Sequence, residues 1–237
     1  MSVKTVSTYR ARVLEKMNLK TNGDLIDVVT LHFYPYGSEN LTPEQIFANA
    51  DLFGHNIVKV QGAIHDIVKR DLPLMITEIN LSYVGGGTTK VNPGGLFAGL
   101  WLADVIGKAA QNGLAAIIPW TATRNGGLSI LDDSGNPRPT YYAIHAFSGM
   151  GATVEALAGL PVGLIGYRSQ VDVGEAFEVL INLTAQSISL PIDDKSIKLG
   201  EYSLTRLHFD ISGKLVDGAV YGQKEFEAQQ PPADILK

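Results

Sequence analysis

Side chains that could carry out acid–base or nucleophilic chemistry follow three separate apolar segments of the chain. His32 and Tyr34 lie two residues apart in LHFYPY, so in a strand both point to the same face. Glu78 ends the apolar run of MITEIN, and Trp120 follows that of LAAIIP. A carboxylate so placed can act as a nucleophile, and hydroxyl or imidazole groups beside it can orient and stabilise it.

The segments that carry these residues alternate with helical ones. Three apolar runs, LIDVVTLHFY, LPLMITEIN and LAAIIPWTA, are typical of buried parallel strands. TPE at residues 42–44 is a typical helix start, and we expect helix to about Arg70, with a break near Gly54 or Gly62 left open. A second helix is expected from Leu96 to Asn112. This alternation predicts an α/β fold with a parallel sheet.

The pattern of apolar and polar residues changes near residue 150. Short alternating segments follow, separated by Gly, Asp and Ser, and this pattern is typical of antiparallel strands in a β-sandwich. The segments are VGLIGYRS, AFEVLINL, SISLPI, YSLTRLHFD and LVDGAVYG. We therefore predict a second, antiparallel part of the fold beyond this point.

The ordered set of His32, Tyr34, Glu78 and Trp120 resembles the last strands of glycoside-hydrolase clan A. In that clan, which comprises retaining glycosidases on (β/α)₈ barrels, the sixth strand carries a His-x-Tyr element. The seventh strand ends in the nucleophilic Glu, and the eighth carries a Trp that forms the floor of the sugar-binding site. The resemblance covers roughly residues 25–230, and a β-sandwich following the barrel is common in several of these families.

The resemblance implies a division of the chain into three parts. Residues 25–150 would form a partial (β/α) barrel of about three parallel strands with helices, because a complete barrel has eight strands and about 250 residues. Residues 151–237 would form an antiparallel β-sandwich domain. Residues 1–24 would be a short N-terminal helical segment.

The resemblance also implies a role for each candidate residue. Glu78 would be the catalytic nucleophile, oriented and stabilised by His32 and Tyr34. The substrate would be a β-linked saccharide or an aryl glycoside. The residues expected to bind it are Trp120, whose indole face suits a pyranose, together with Asn80 and Arg124.

Each residue also has a purely structural interpretation. Glu78 could be an acid at a sheet end that is neutralised by Arg124. His32 and Tyr34 could be core residues whose hydrogen bonds are satisfied, and Trp120 could be core packing.

One element of the retaining mechanism is missing from the sequence. That mechanism needs a second carboxylate about 5–5.5 Å from the first, which clan A supplies as a Glu preceded by Asn at the end of the fourth strand. No Asn-Glu pair lies on a predicted strand here; Glu39, Glu44, Asp132 and Asp133 lie in loops or at a helix start. We therefore expect weak hydrolysis, limited to activated aryl glycosides, or a folded remnant that binds carbohydrate without catalysis.

An open sheet of three strands would expose two edges and an apolar face. We expect a second copy of the chain, the N-terminal helix, or both to cover it, and a symmetric dimer is the simplest closed homo-oligomer.

The N-terminal stretch SVKTVSTYRARVLEKMNLKTNGDLI resembles the end of a LuxR/FixJ-type helix-turn-helix domain. The resemblance implies a recognition helix without the two helices that would hold it in the major groove. Nucleic-acid binding is therefore not expected, and a DNA-binding regulator is the least favoured function. A basic amphipathic helix that packs on the protein body fits the same residues.

Composition excludes several other classes of protein. The 237 residues carry a net charge of −5, contain no cysteine and hold five scattered histidines, so neither a metal nor another cofactor is expected. No apolar run reaches the length of a membrane span, and no signal peptide is present, which predicts a cytoplasmic protein although barrel relatives are often secreted. The segment VGGGTTKVNPGG lacks the Lys-Ser/Thr of a P-loop and is expected to be a flexible loop over the sheet end.

Overall fold

A computed structural model describes residues 12, 15, 16, 20, 26–85, 87, 89–171, 173–193 and 195–236. The predicted helical segment at residues 1–24 falls almost entirely outside these residues and stays a prediction. The elements, in chain order, are β1 (Val29–Phe33), α1 (Pro43–Val68), β2 (Leu74–Ile79), α2 (Leu96–Gln111), β3 (Ala116–Pro119), a 3₁₀ turn (Gly126–Leu128), α3 (Pro139–Ala146), β4 (Glu155–Ala156), β5 (Leu164–Gln170), β6 (Ala176–Asn182), β7 (Ile188–Ile192), β8 (Lys195–Leu199), β9 (Ser203–Phe209), β10 (Leu215–Tyr221), α4 (Gln223–Ala228) and β11 (Ala233–Asp234).

The three predicted apolar strands form a parallel sheet in the order β1-β2-β3. Helices α1 and α2 connect them, as the alternation of strand and helix predicts. The prediction of an α/β unit followed by antiparallel strands is therefore confirmed.

Helix α1 is continuous, so the break left open near Gly54 or Gly62 does not occur. The helix begins with a capping box in which Thr42 and Gln45 satisfy each other's backbone N–H groups. A glycine in a helix interior costs only about 1 kcal/mol relative to alanine. The buried face of α1, which includes Phe53 at 0% exposure, stabilises the helix by more than that.

Helix α2 lies at the centre of the molecule and is buried along almost its whole length. It contacts α1 and α3, and it also contacts strands β4, β6 and β9 of the antiparallel part. The Trp101 indole N–H donates to Asn49 Oδ1 at 3.0 Å and ties α2 to α1. This position explains why apolar residues cover most of the surface of α2 rather than one stripe.

The antiparallel part contains two sheets, with strand orders β11-β10-β9-β6-β5-β4 and β7-β8. A separate apolar cluster lies between them, formed by Leu164, Leu180, Ile197, Leu207 and Phe209 among others. Two facing antiparallel sheets around one core are consistent with the predicted β-sandwich.

The main core crosses the boundary that we predicted near residue 150. It contains Ile76 and Trp101 from the α/β part and Tyr167, Val179 and Ile181 from the six-stranded sheet. The two parts therefore share apolar packing through α2, and the domain boundary itself stays a prediction.

A buried polar cluster joins the two parts at the middle of α2. Lys108 Nζ donates to Asp104 Oδ2 and to Asp51 Oδ1, each at 2.7 Å. The Tyr167 hydroxyl, on β5, donates to Asp104 Oδ1. Burial raises the pKa of Asp104, and the neighbouring Lys108 opposes that rise.

Part of the glycine-rich loop is buried, and the flexibility expected from its composition stays a prediction. Residues 92–95 are buried, and a Cβ on Gly127 would lie 2.4 Å from the carbonyl oxygen of Gly87. Glycine is therefore required there because two backbones pack directly against each other. Lys90 Nζ also forms an ion pair with Glu227 Oε1 at 2.9 Å.

Strands β1 and β3 are the two edges of the parallel sheet within the described residues. Leu31 on β1 and Ile118 on β3 are exposed. The predicted second copy over this sheet stays a prediction. No helix among the described ranges has the length and apolar character needed to cross a bilayer.

Candidate active site

The candidate site lies where the carboxyl ends of β1 and β2 meet. The parallel register places His32 opposite Glu78, with a register irregularity between Leu31 and His32. The pairing continues beyond both strands, because Asn80 N–H donates to the carbonyl of Phe33. The structure therefore brings together the residues that the sequence placed on two separate segments.

Two side chains approach one oxygen of Glu78. The Tyr34 hydroxyl donates to Glu78 Oε2 at 2.9 Å, and His32 Nδ1 lies 3.4 Å from the same oxygen. Among the described residues, no hydrogen bond reaches the other oxygen, Oε1. The Glu78 side chain is 28% exposed and that of His32 is 57% exposed, so the site is open to solvent.

Tyr34 is held in its protonated form. Burial raises the pKa of Tyr34, and the hydrogen bond to Glu78 and the negative charge of that carboxylate raise it further. The phenol therefore stays a hydrogen-bond donor throughout the neutral range. A fixed donor of this kind holds the carboxylate in one orientation.

Trp120 lies one residue beyond β3, beside the end of β2. The backbone N–H of Trp120 donates to the carbonyl of Ile79 at 2.9 Å, which fixes the Trp120 backbone beside the end of β2. The Trp120–Thr121 peptide bond is cis. With 42% of its surface exposed, Trp120 is not plain core packing and presents part of the indole to solvent.

Asn80 makes its side-chain hydrogen bonds within the chain. Its side chain is buried, and its amide donates to the carbonyls of Trp120 at 2.6 Å and Leu128 at 2.9 Å. Its Oδ1 accepts the backbone N–H of Leu81. Asn80 therefore links the end of β2 to the segment after β3, and its substrate-binding role stays a prediction.

Arg124 lies in the loop after β3, exposed and with a φ of 65°. No ion pair joins it to Glu78 in the part of the chain that the structure describes. The alternative in which Arg124 neutralises a structural Glu78 is therefore not what the structure shows. The substrate-binding role of Arg124 stays a prediction.

The architecture resembles that of several solved glycoside hydrolases. An α-L-arabinofuranosidase from Thermotoga maritima matches with a TM-score of 0.52 and 15% identity, over 84% of this chain and 49% of the other. A GH51 arabinofuranosidase from Xanthomonas axonopodis pv. citri matches with a TM-score of 0.54 and 12% identity, again over 84% of this chain and 49% of the other. A 4-O-α-L-rhamnosyl-β-D-glucuronidase from Fusarium oxysporum matches with a TM-score of 0.51 and 17% identity, over 90% of this chain and 45% of the other.

The chain shares its fold with these solved glycoside hydrolases. It spans about half the length of these solved structures. No protein-family model matches the chain, and no curated protein matches it. At these identities the likeness shows the fold alone.

One exposed aromatic residue near the end of β2 was missed in the sequence analysis. Tyr83 is 66% exposed and lies four residues beyond β2, where its N–H donates to the carbonyl of Tyr36 at 3.1 Å. Its ring packs against Gly37, since a Cβ there would lie 2.2 Å from the Tyr83 hydroxyl oxygen. An aromatic residue just past a strand that ends in the candidate nucleophile is the signal that could have identified it.

Three of the carboxylates considered as a second acid make no contact with Glu78 in the described structure. Asp132 accepts from the Asn136 amide and from two backbone N–H groups, which shape a turn. Glu44 lies in the first turn of α1, and Glu39 accepts from Asn92 through its carbonyl oxygen. Across the described residues, no group of three or more His, Asp or Glu side chains is arranged to hold a metal ion.

Proposed function

We propose that the protein is a glycosidase-type hydrolase of β-linked saccharides or aryl glycosides, with Glu78 as nucleophile. The observation that carries the proposal is the asymmetry of the Glu78 carboxylate. Oε2 accepts a hydrogen bond from Tyr34 and lies 3.4 Å from His32 Nδ1, while Oε1 has no hydrogen-bond partner among the described residues. An exposed indole, Trp120, lies at the end of the neighbouring strand.

The geometry suits formation of a covalent glycosyl-enzyme. Glu78 Oε1 attacks the anomeric carbon as the bond to the leaving oxygen breaks, passing through an oxocarbenium-like state. The hydrogen bond from Tyr34 fixes the orientation of the carboxylate during this attack, and the Trp120 indole stacks on the C–H face of the sugar. Water then releases the sugar from Glu78.

A panel of aryl glycosides tests the proposal directly. The panel should contain 2,4-dinitrophenyl and 4-nitrophenyl β-glucosides, β-galactosides and β-xylosides, with α-L-arabinofuranosides added because of the solved structures matched. Release of the phenol well above the buffer rate on at least one sugar supports the proposal. No release on any of them, at substrate concentrations that saturate typical glycosidases, would overturn it.

Replacing Tyr34 with phenylalanine should lower kcat on the best substrate by about 10- to 100-fold, because a hydrogen bond to a charged group contributes about 1.5–3 kcal/mol. The change leaves the ring and the strand in place, so the midpoint of thermal unfolding should move little. Steady-state kinetics and calorimetry check both parts. Tyr141→Phe, on α3, is a matched control that should leave kcat unchanged.

Replacing Tyr83 with alanine should weaken saccharide binding by about 2- to 10-fold, because an aromatic contact contributes about 0.5–1.5 kcal/mol beyond its buried area. Tyr83→Phe keeps the ring and should bind as the wild type does. Saturation-transfer NMR with a trisaccharide of the sugar preferred in the panel measures the difference. Equal binding by all three proteins would remove Tyr83 from the site.

Binding of carbohydrate without hydrolysis is the second candidate function. It is favoured because none of Glu39, Glu44 and Asp132 contacts Glu78 in the described structure. In that case saccharide binding would persist in a Glu78→Gln variant, and the aryl glycoside panel would show no turnover.

A further inference from the structure

We propose that His32 is the acid–base group of this site, in place of a second carboxylate. The inference rests on the proposed function, since it assigns the proton transfers that a Glu78 nucleophile needs. His32 would give a proton to the leaving oxygen and later take one from water.

The placement of the imidazole carries this inference. Nδ1 faces Glu78 Oε2 at 3.4 Å, which directs the other nitrogen, Nε2, away from the carboxylate. Retaining glycosidases hold their two catalytic groups about 5–5.5 Å apart, and a 3.4 Å contact extended by the width of an imidazole ring brings Nε2 into that range. The side chain is 57% exposed, so Nε2 can reach a bound substrate.

The charges of the two groups change together in the proposed reaction. Glu78 starts as a carboxylate with one oxygen 3.4 Å from His32 Nδ1 and becomes an uncharged ester after attack. In the same step His32 passes a proton to the leaving oxygen, so the pair loses both charges together.

The two steps balance in atoms and charge. In the first, Glu78 Oε1 bonds to the anomeric carbon, the bond to the leaving oxygen breaks, and that oxygen takes the proton from His32 Nε2. In the second, water bonds to the anomeric carbon and gives a proton to Nε2 while the ester bond to Glu78 breaks. Both residues return to their starting charges.

Tyr34 is not suited to this role. Its hydroxyl already donates to Glu78 at 2.9 Å, and burial together with that carboxylate raises its pKa, which makes it a poor acid. Among the polar side chains that contact Glu78 in the described structure, His32 remains as the group with a second nitrogen open to solvent.

The test measures how the rate depends on the leaving group. Aryl glycosides of the preferred sugar, from 2,4-dinitrophenol to unsubstituted phenol, are hydrolysed by wild type and by His32→Gln. His55→Gln, an exposed histidine on α1, is the control and should match the wild type. General acid–base catalysis contributes about 10²- to 10⁴-fold to a rate. On phenyl glycosides, which need the acid, the rate of His32→Gln should fall by that factor. On dinitrophenyl glycosides, whose leaving group needs no proton, the rate of glycosidic bond breaking should change little.

A second measurement addresses the base step. Azide needs no base to attack the glycosyl-enzyme, so it should accelerate turnover of the dinitrophenyl glycoside by His32→Gln and give a glycosyl azide of retained configuration. Equal rate losses across all leaving groups, without azide rescue, would show that His32 only positions Glu78 and would overturn the inference. A wild type that hydrolyses no dinitrophenyl glycoside would instead overturn the proposed function, and this inference with it.

Discussion

Replacing Glu78 with glutamine is expected to reduce the hydrolysis of aryl glycosides by about 10³-fold or more, the scale seen when a nucleophile is removed. Glutamine keeps the size and hydrogen-bonding outline of the side chain but cannot form a glycosyl ester. Because Glu78 is partly exposed at the end of β2, the fold should tolerate the change. Initial rates on the preferred 2,4-dinitrophenyl glycoside and thermal unfolding of both proteins check this prediction.

The control for Glu78→Gln is Glu39→Gln, because Glu39 contacts Asn92 only through its backbone and has no contact with Glu78 in the described structure. It should retain wild-type activity. In Glu78→Ala, azide should occupy the space of the lost carboxylate and restore turnover, with a glycosyl azide of inverted configuration as product. Equal activity in Glu78→Gln and wild type would place the chemistry elsewhere.

The second large effect concerns stability. Replacing Lys108 with methionine should lower the free energy of unfolding at pH 7 by about 3 kcal/mol, or roughly 6–12 °C in Tm for a chain of this size. Lys108 contacts both Asp104 and Asp51, and Asp104 is buried at the centre of α2. Methionine keeps the aliphatic stem and leaves the Asp104 carboxylate without its cation. Urea unfolding measures the loss.

The size of this loss should depend on pH. Burial raises the pKa of Asp104 above its ordinary value near 4, and Lys108 opposes that rise, so removing Lys108 raises this pKa further. A raised pKa in the folded state gives stability that is present below the unfolded value and lost as pH rises. The difference between wild type and Lys108→Met should therefore be small near pH 4 and grow towards pH 7.

Lys59→Met, on the exposed surface of α1, is the matched control and should change stability by less than about 0.5 kcal/mol at either pH. A destabilisation of Lys108→Met that is the same at pH 4 and pH 7 would mean that lost packing, rather than the unpaired Asp104 carboxylate, is its cause.

The strands of the α/β part could be predicted because their apolar runs are long and end in turn residues. The paired placement of His32 and Glu78 also followed, since parallel strands bring their carboxyl ends to one edge. The continuity of α1 could not be predicted, because the low helix propensity of Gly54 and Gly62 is outweighed by the burial of Phe53 and its neighbours.

Other features depend on contacts between distant segments, which composition does not report. The packing of the glycine-rich loop rests on the close approach of Gly87 and Gly127. The role of Asn80 depends on two carbonyls, of Trp120 and Leu128, that lie on another part of the chain. The core shared across α2 likewise follows from the position of Tyr167, which no local pattern indicates.

Covalent trapping tests the central claim, that Glu78 is the nucleophile, most directly. The wild type is incubated with the 2,4-dinitrophenyl 2-deoxy-2-fluoro glycoside of the preferred sugar, which forms the glycosyl-enzyme quickly and releases it slowly. We predict that the intact mass rises by one fluorosugar, located by peptide mass spectrometry on Glu78, and that Glu78→Gln stays unlabelled. A label on another residue, or turnover of the parent glycoside without any trapped species, would contradict the assignment.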